Sequence, residues 1–370
     1  MKNLMLIFLL LACGPAALAQ DQEATERKTV DLRLEARADY DRGYIDGEKN
    51  EAGTGLRGNI VDVFLQGDIS DHFSYKYRQR LNGINKDKSF FDATDWLFLT
   101  YHANQNWTLS GGKWAVLCGP WEFDPAPIDC FQLFEFCYNF PCYEWGLWLG
   151  YQTTNKKDQF FLQMVESPFR KVYKRNSGIS SEMYAYNLIW YGSHGILHTD
   201  WSVNLMEYAP GKFINYLSFG NRFDVADNLQ IDVDYMNRAT TGQTFLFKDC
   251  SMTARVDYQP SPQVNLWAKA SYDVNHAGVD TNPEASAPLD EPNQQKAEQS
   301  KPRADLALYE GTEITRVGAG LEYYPLKNKK VRLHANYSYC FGKNTNPAGY
   351  LQDKHSILDL GITWRVNVIK

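Results

Sequence analysis

Apolar and polar residues alternate one by one over most of this chain, starting with Val30, Leu32, Leu34, Ala36, Ala38 and Tyr40 interleaved with Asp31, Arg33, Glu35, Arg37 and Asp39. Successive side chains of a β-strand point to opposite faces, so a strand with one apolar and one wet face shows this period of two. The pattern returns where Phe73, Tyr75, Tyr77, Gln79 and Leu81 face Ser74, Lys76, Arg78 and Arg80, and where Leu229, Ile231, Val233 and Tyr235 face Gln230, Asp232, Asp234 and Met236. Further apolar faces are Val264 to Val274, Val331 to Tyr339 and Leu358 to Val368, each taken every second residue. Helical spacing competes nowhere over a comparable length.

Such runs predict strands at 30–40, 56–69, 73–82, 94–102, 107–116, 143–153, 159–166, 183–191, 197–206, 213–223, 229–238, 247–258, 264–274, 313–324, 330–341 and 356–368. The even-numbered connections, from Ser70–His72 to Pro325–Lys329, are short. The odd ones are mostly long, at 41–55, 83–93, 117–142, 167–182, 275–312 and 342–355, with 207–212 and 239–246 as short exceptions. Short turns on one side and long loops on the other are the signature of a transmembrane antiparallel up-and-down β-barrel, here an all-β fold of about 16 strands. The segment 275–312 is rich in Pro, Glu, Gln and Asn with few large apolar residues, which predicts a mobile outer loop.

The chain start fits that reading. Lys2 and Asn3 precede the apolar run Leu4 to Ala12, and Ala17-Leu18-Ala19 offers a small-x-small cleavage site, so 1–19 is expected to be a signal peptide and 20–370 the barrel. Lipoprotein processing at Cys13 competes, but Leu11 is bulky for that motif. No later segment offers the roughly 18 uninterrupted apolar residues a spanning helix needs. Aromatic residues make up 14% of the chain while mean hydropathy is −0.47, as expected when one face meets lipid and the other water. These features place the protein in the outer membrane of a Gram-negative bacterium, with membrane lipid as a partner.

Net charge is −6, which provides no basic field for nucleic acid. Beyond Cys13, six cysteines remain, and in an oxidising envelope thiols serve as disulfides more often than as catalysts. About 16 strands leave an aqueous channel, whereas about eight fill their own lumen and plugged transporters need about 22.

The connection 117–142 stands apart. It carries Trp121, Phe123, Phe131, Phe134, Phe136, Tyr138 and Phe140 with Glu122, Asp124, Asp129 and Glu135, and no Lys or Arg. So aromatic a loop would expose a large apolar patch in solvent, which predicts that it folds into the lumen as a constriction. Four cysteines can staple it, most simply as Cys137 with Cys142 and Cys118 with Cys130, although three pairings exist. A zinc site from the same thiols would need tighter paired spacing.

Gly112-Lys113-Trp114, Gly119-Pro120-Trp121-Glu122-Phe123-Asp124, Ala126-Pro127-Ile128-Asp129 and Asn139-Phe140-Pro141-Cys142-Tyr143 resemble the phosphate-selective porin O and P family. That resemblance implies a 16-strand barrel with an anion channel lined by basic residues. The candidates here are Lys76, Arg78, Arg80, Arg33 and Arg37. An acidic loop facing a basic wall would set a transverse field across the aperture, favouring small polar or zwitterionic solutes over a purely anionic channel. The facing of Lys113 stays open, because Gly111-Gly112 could host a bulge.

His194 and His198 have helical metal spacing but straddle an expected turn, and no Gly-x-Ser-x-Gly or Ser-His pairing is present. No catalytic residue, metal or cofactor is therefore expected. The expected function is passive diffusion of small polar solutes or ions, anions such as phosphate included, with a homotrimer as the candidate assembly. The alternative is a structural or adhesive barrel whose loops plug its lumen.

Overall fold

The computed structural model describes residues 30–84, 89–133, 142–240, 246–276, 308, 310–345 and 353–369. The expected signal peptide, Glu135, Cys137 and most of 275–312 lie outside them. The strands are β1 (Asp31–Ile45), β2 (Glu48–Asp68), β3 (Phe73–Arg80), β4 (Thr94–His102), β5 (Trp107–Ala115), β6 (Tyr143–Gln152), β7 (Asp158–Glu166) and β8 (Tyr184–His194). They continue with β9 (Leu197–Ala209), β10 (Lys212–Ala226), β11 (Leu229–Thr240), β12 (Asp249–Ser261), β13 (Val264–Asn275), β14 (Glu313–Tyr323), β15 (Val331–Lys343) and β16 (Lys354–Ile369). Each pairs antiparallel with its sequence neighbours, and β16 pairs with β1, closing the barrel. Closure leaves no edge, so every strand satisfies its backbone groups within the sheet.

Burial is inverted relative to a water-soluble protein. Val203, Leu205, Val233, Val256, Leu266, Leu321, Leu333, Leu360 and Ile362 are exposed, while Arg37, Asp62, Arg78, Asn187, Asn204, Asp234 and Asp273 are buried. An exposed apolar wall is stable only against hydrocarbon, and the polar faces line the interior. On the outer wall Phe160, Trp190, Trp201, Phe219 and Tyr235 contact one another in sequence, with ring centroids 5.1–6.3 Å apart. Such aromatic rows suit the membrane interface.

One connection differs from expectation. The segment 41–55 is not a long loop: β1 and β2 run on to a two-residue turn at Asp46-Gly47, both with positive φ. Alternation fades there because both faces of a hairpin beyond the bilayer meet water. The Asp-Gly pair was the readable hairpin signal. The outer connection after β7 carries a short helix, α1 (Arg170–Ser177), ended by Gly178 in the left-handed region.

Candidate functional site

The chain leaving β5 does not project outward. Residues 117–133 follow the inner wall from β7 round to β1 and then turn back toward β13. The Leu117 amide donates to Gln163 Oε1 on β7 (2.8 Å), and Asn204 Nδ2 on β9 donates to the Leu117 carbonyl (2.7 Å). Gly119 N donates to Ser202 Oγ on β9 (2.9 Å), and Glu122 N to Asp234 Oδ2 on β11 (2.9 Å). The Arg222 guanidinium of β10 lies 4.1 Å from the Trp121 ring centroid.

Further round, Lys269 Nζ of β13 pairs with the Glu122 carboxylate and donates to the Gln132 carbonyl (2.7 Å). Arg332 of β15 and Arg365 of β16 both hold Asp129, at 2.8 and 2.6 Å. Arg37 of β1 donates to the Cys130 carbonyl (2.9 Å) and stacks 4.2 Å from the Phe131 centroid.

Apolar packing fixes the root of this segment. Inward residues near the outer ends of β7–β11, namely Val165, Ala185, Met206, Ile214, Tyr216 and Met236, form a cluster with Val116 and Cys118, against which Phe123 and Leu133 pack. Close approach further along needs glycine on the wall. A Cβ at Gly220 would come 2.8 Å from the Trp121 backbone nitrogen.

The segment leaves open a cavity of about 920 Å³ that runs from β14–β16 and β1–β5 across to β8 and β9. Arg33, Arg37, Arg78, Arg80 and Arg316 line it together with Asp41, Glu122, Asp124, Asp200 and Asp359. Lys76 is exposed and stands nearer the β2–β3 turn, outside that lining. Arg78 is 1% exposed and donates to Asp95 and to the Tyr143 hydroxyl. Arg80 pairs with the same Asp95 (2.9 Å) and with Asp62 (3.7 Å). Arg33 pairs with Glu35 (2.9 Å), and Arg37 with Asp39 (2.7 Å).

The basic stripe is therefore balanced by wall carboxylates, and the acids of the loop meet Lys269, Arg332 and Arg365 rather than Lys76, Arg78 or Arg80. Asp124 faces the cavity, where partial loss of water raises its carboxyl from the ordinary value against the pull of Arg222, and Asp232 adds to the rise. Alternation alone puts Lys269, Arg332 and Arg365 on inner faces. Their meeting with the loop depends on barrel closure, which no local signal carries.

The expected staple of the loop is corrected, and the two histidines stay apart. Cys118 and Cys130 are free thiols, so the expected bridge between them is absent. Burial, then Glu122 and Asp129, push the Cys130 thiol up to about 12. The other expected bridge involves Cys137, which lies outside the described residues. His194 and His198 do have fixed carboxylate partners, but different ones, Asp158 (2.8 Å) and Asp224 (2.9 Å), so they do not converge. Lys113 pairs opposite Leu97 and Trp145 with unbroken register, and Nζ donates to the Phe91 carbonyl (2.8 Å) of the second outer connection.

A closed barrel with an apolar exterior and a charged, loop-narrowed interior has the architecture of a membrane-spanning β-barrel of porin type. Solved structures share that fold. The anion-selective porin from Comamonas acidovorans aligns with TM-score 0.63 at 8% identity, covering 91% of this chain and 99% of that one. Outer-membrane expressed OmpT of Vibrio cholerae aligns at 0.56 and 11% identity, covering 94% and 100%. A mutant form of the Rh. blastica porin aligns at 0.52 and 12% identity, covering 90% and 100%. No protein-family model and no curated protein sequence matches the chain.

Proposed function

We propose that this chain is an outer-membrane diffusion pore, passing small polar solutes and ions without chemical conversion. The observation that carries this reading is the lumen cavity of about 920 Å³, left open beside a loop docked on the wall and lined by five arginines and five carboxylates. Opposed charges across a narrow, low-dielectric aperture orient dipolar solutes and lower the barrier for small zwitterions. The sharper anion or phosphate preference, as in the family the sequence resembles, rests on the arginines grouped on β1, β3 and β14. Assembly as a homotrimer belongs to the same reading.

Planar-bilayer recording tests it. Refolded protein is expected to give stable open steps; a tight seal from folded protein would replace the pore with the structural, loop-plugged alternative. For selectivity, Arg33 and Arg80 are the substitutable pair, with side chains 35% and 30% exposed. Arg33→Gln with Arg80→Gln should move the reversal potential toward cations at about 0.1 M salt and less at 1 M, because screening shortens from about 10 to about 3 Å. An unchanged potential at low salt removes these residues from the selectivity argument.

A further inference from the structure

Three neighbouring strands place Asp39 (β1), His334 (β15) and Asp359 (β16) together, since Gly361 of β16 pairs with both Asp39 and His334, and Asp359 lies two residues earlier on the same face. We propose that these three side chains form a binding site for a divalent first-row transition-metal ion on the lumen wall.

His334 is 5% exposed, and its Nε2 lies 3.0 Å from Asp39 Oδ1 and 3.1 Å from Asp359 Oδ1. These are close ion-pair contacts that do not form hydrogen bonds: Nε2 and Asp39 Oδ1 both lack a hydrogen-bond partner. Separations of this size are the edges, about 3.0 to 3.4 Å, of an octahedron or tetrahedron with bonds of about 2.1 Å. The three ligand atoms all lie within 4.8 Å of one another, and one imidazole nitrogen with two carboxylate oxygens is a donor set that suits a borderline cation.

The surroundings hold the two carboxylates in place. Arg37 donates to Oδ2 of Asp39 (2.7 Å) and of Asp359 (3.4 Å), and Asn59 also donates to Asp39 Oδ2. Both Oδ1 atoms are thereby turned toward His334. Asn336 Nδ2 donates to Asp359 Oδ1 (2.8 Å), leaving that oxygen a second lone pair. Orienting donors of this kind set the geometry of a metal centre. The two ligands can approach over position 361 because it has no side chain: a Cβ at Gly361 would run into Asp39 Oδ1 and come within 2.5 Å of His334 Nε2. Asp41 with Arg57, and Arg37 with Asp39 and Asp359, complete the charged surroundings. Arg37, Asp41, Asn336 and Asp359 line the lumen cavity, which supplies the entry path and water for the remaining coordination positions.

The experiment is a Co²⁺ titration of the full chain folded in detergent, followed by visible absorption and Zn²⁺ displacement. One saturating equivalent is expected. It should be lost in His334→Gln and in Gly361→Ala, weakened about 10- to 100-fold in Asn336→Leu, and unchanged in His198→Gln, with heat-modifiable gel migration confirming each fold. Saturation that survives His334→Gln, or none in the unsubstituted protein, overturns the proposal. If the variants fail to fold, anomalous scattering from Zn²⁺ in the unsubstituted protein decides. A peak at bonding distance from His334 Nε2 supports the site and a peak elsewhere removes it. None of these readouts depends on conductance, so the site and the pore stand or fall separately.

Discussion

Lys269 and Glu122 show how single residues hold the lumen loop, with side chains only 4% and 7% exposed. Removing one member of a buried ion pair typically costs about 3 to 5 kcal/mol because the other charge remains desolvated, whereas replacing both is close to neutral. Lys269→Met is therefore expected to loosen residues 119–132, read as faster amide hydrogen exchange there. Adding Glu122→Gln should restore most of the protection. If the single variant leaves exchange unchanged, the loop is held by its apolar root and not by this pair.

At the scale of elements, the segment 117–133 behaves as a lining rather than a lid, tied to wall strands from β7 round to β1. Asp124 lines the cavity beside Glu122, and the partial loss of water there raises its carboxyl, which gives the pore a pH response. A carboxyl raised in the folded state makes a favourable contribution that is complete below the ordinary carboxylate range and is lost as pH rises through the raised value. As pH falls from neutral, Asp124 should lose its charge at a higher pH than an ordinary aspartate does. The reversal potential should then shift toward anions. In Asp124→Asn that shift should be absent over the same range, with the neutral-pH potential already displaced toward anions; a retained titration would assign it to another carboxylate.

For the whole molecule, the inverted distribution of charge makes the lipid face the sensitive one. Val203 lies midway along β9, 49% exposed, between Leu188 and Leu217 on the flanking strands. Val203→Arg should cost about 2 to 4 kcal/mol if it sits at the bilayer midplane, measured as a lower urea midpoint for unfolding from lipid vesicles. In detergent, where the belt adapts, the loss should be smaller. Equal loss in both would argue that Val203 packs against protein rather than lipid.

The barrel was legible in the chain before folding: strand number, strand centres and the short turns on one side follow from a two-residue period imposed by lipid outside and water inside. The sequence also marked 117–142 as unlike the other connections, because seven aromatic residues with four acids and no cation cannot be solvated cheaply. The first hairpin was misread because alternation carries no signal where both faces are wet. What only tertiary structure decided was partnership. Glu122 with Lys269, Asp129 with Arg332 and Arg365, and Asp39 with His334 and Asp359 are separated by 147, 203, 236, 295 and 320 residues, and they meet because β16 closes on β1. Alternation tells which face a side chain takes but not which residue stands opposite, since that depends on register accumulated around the whole barrel.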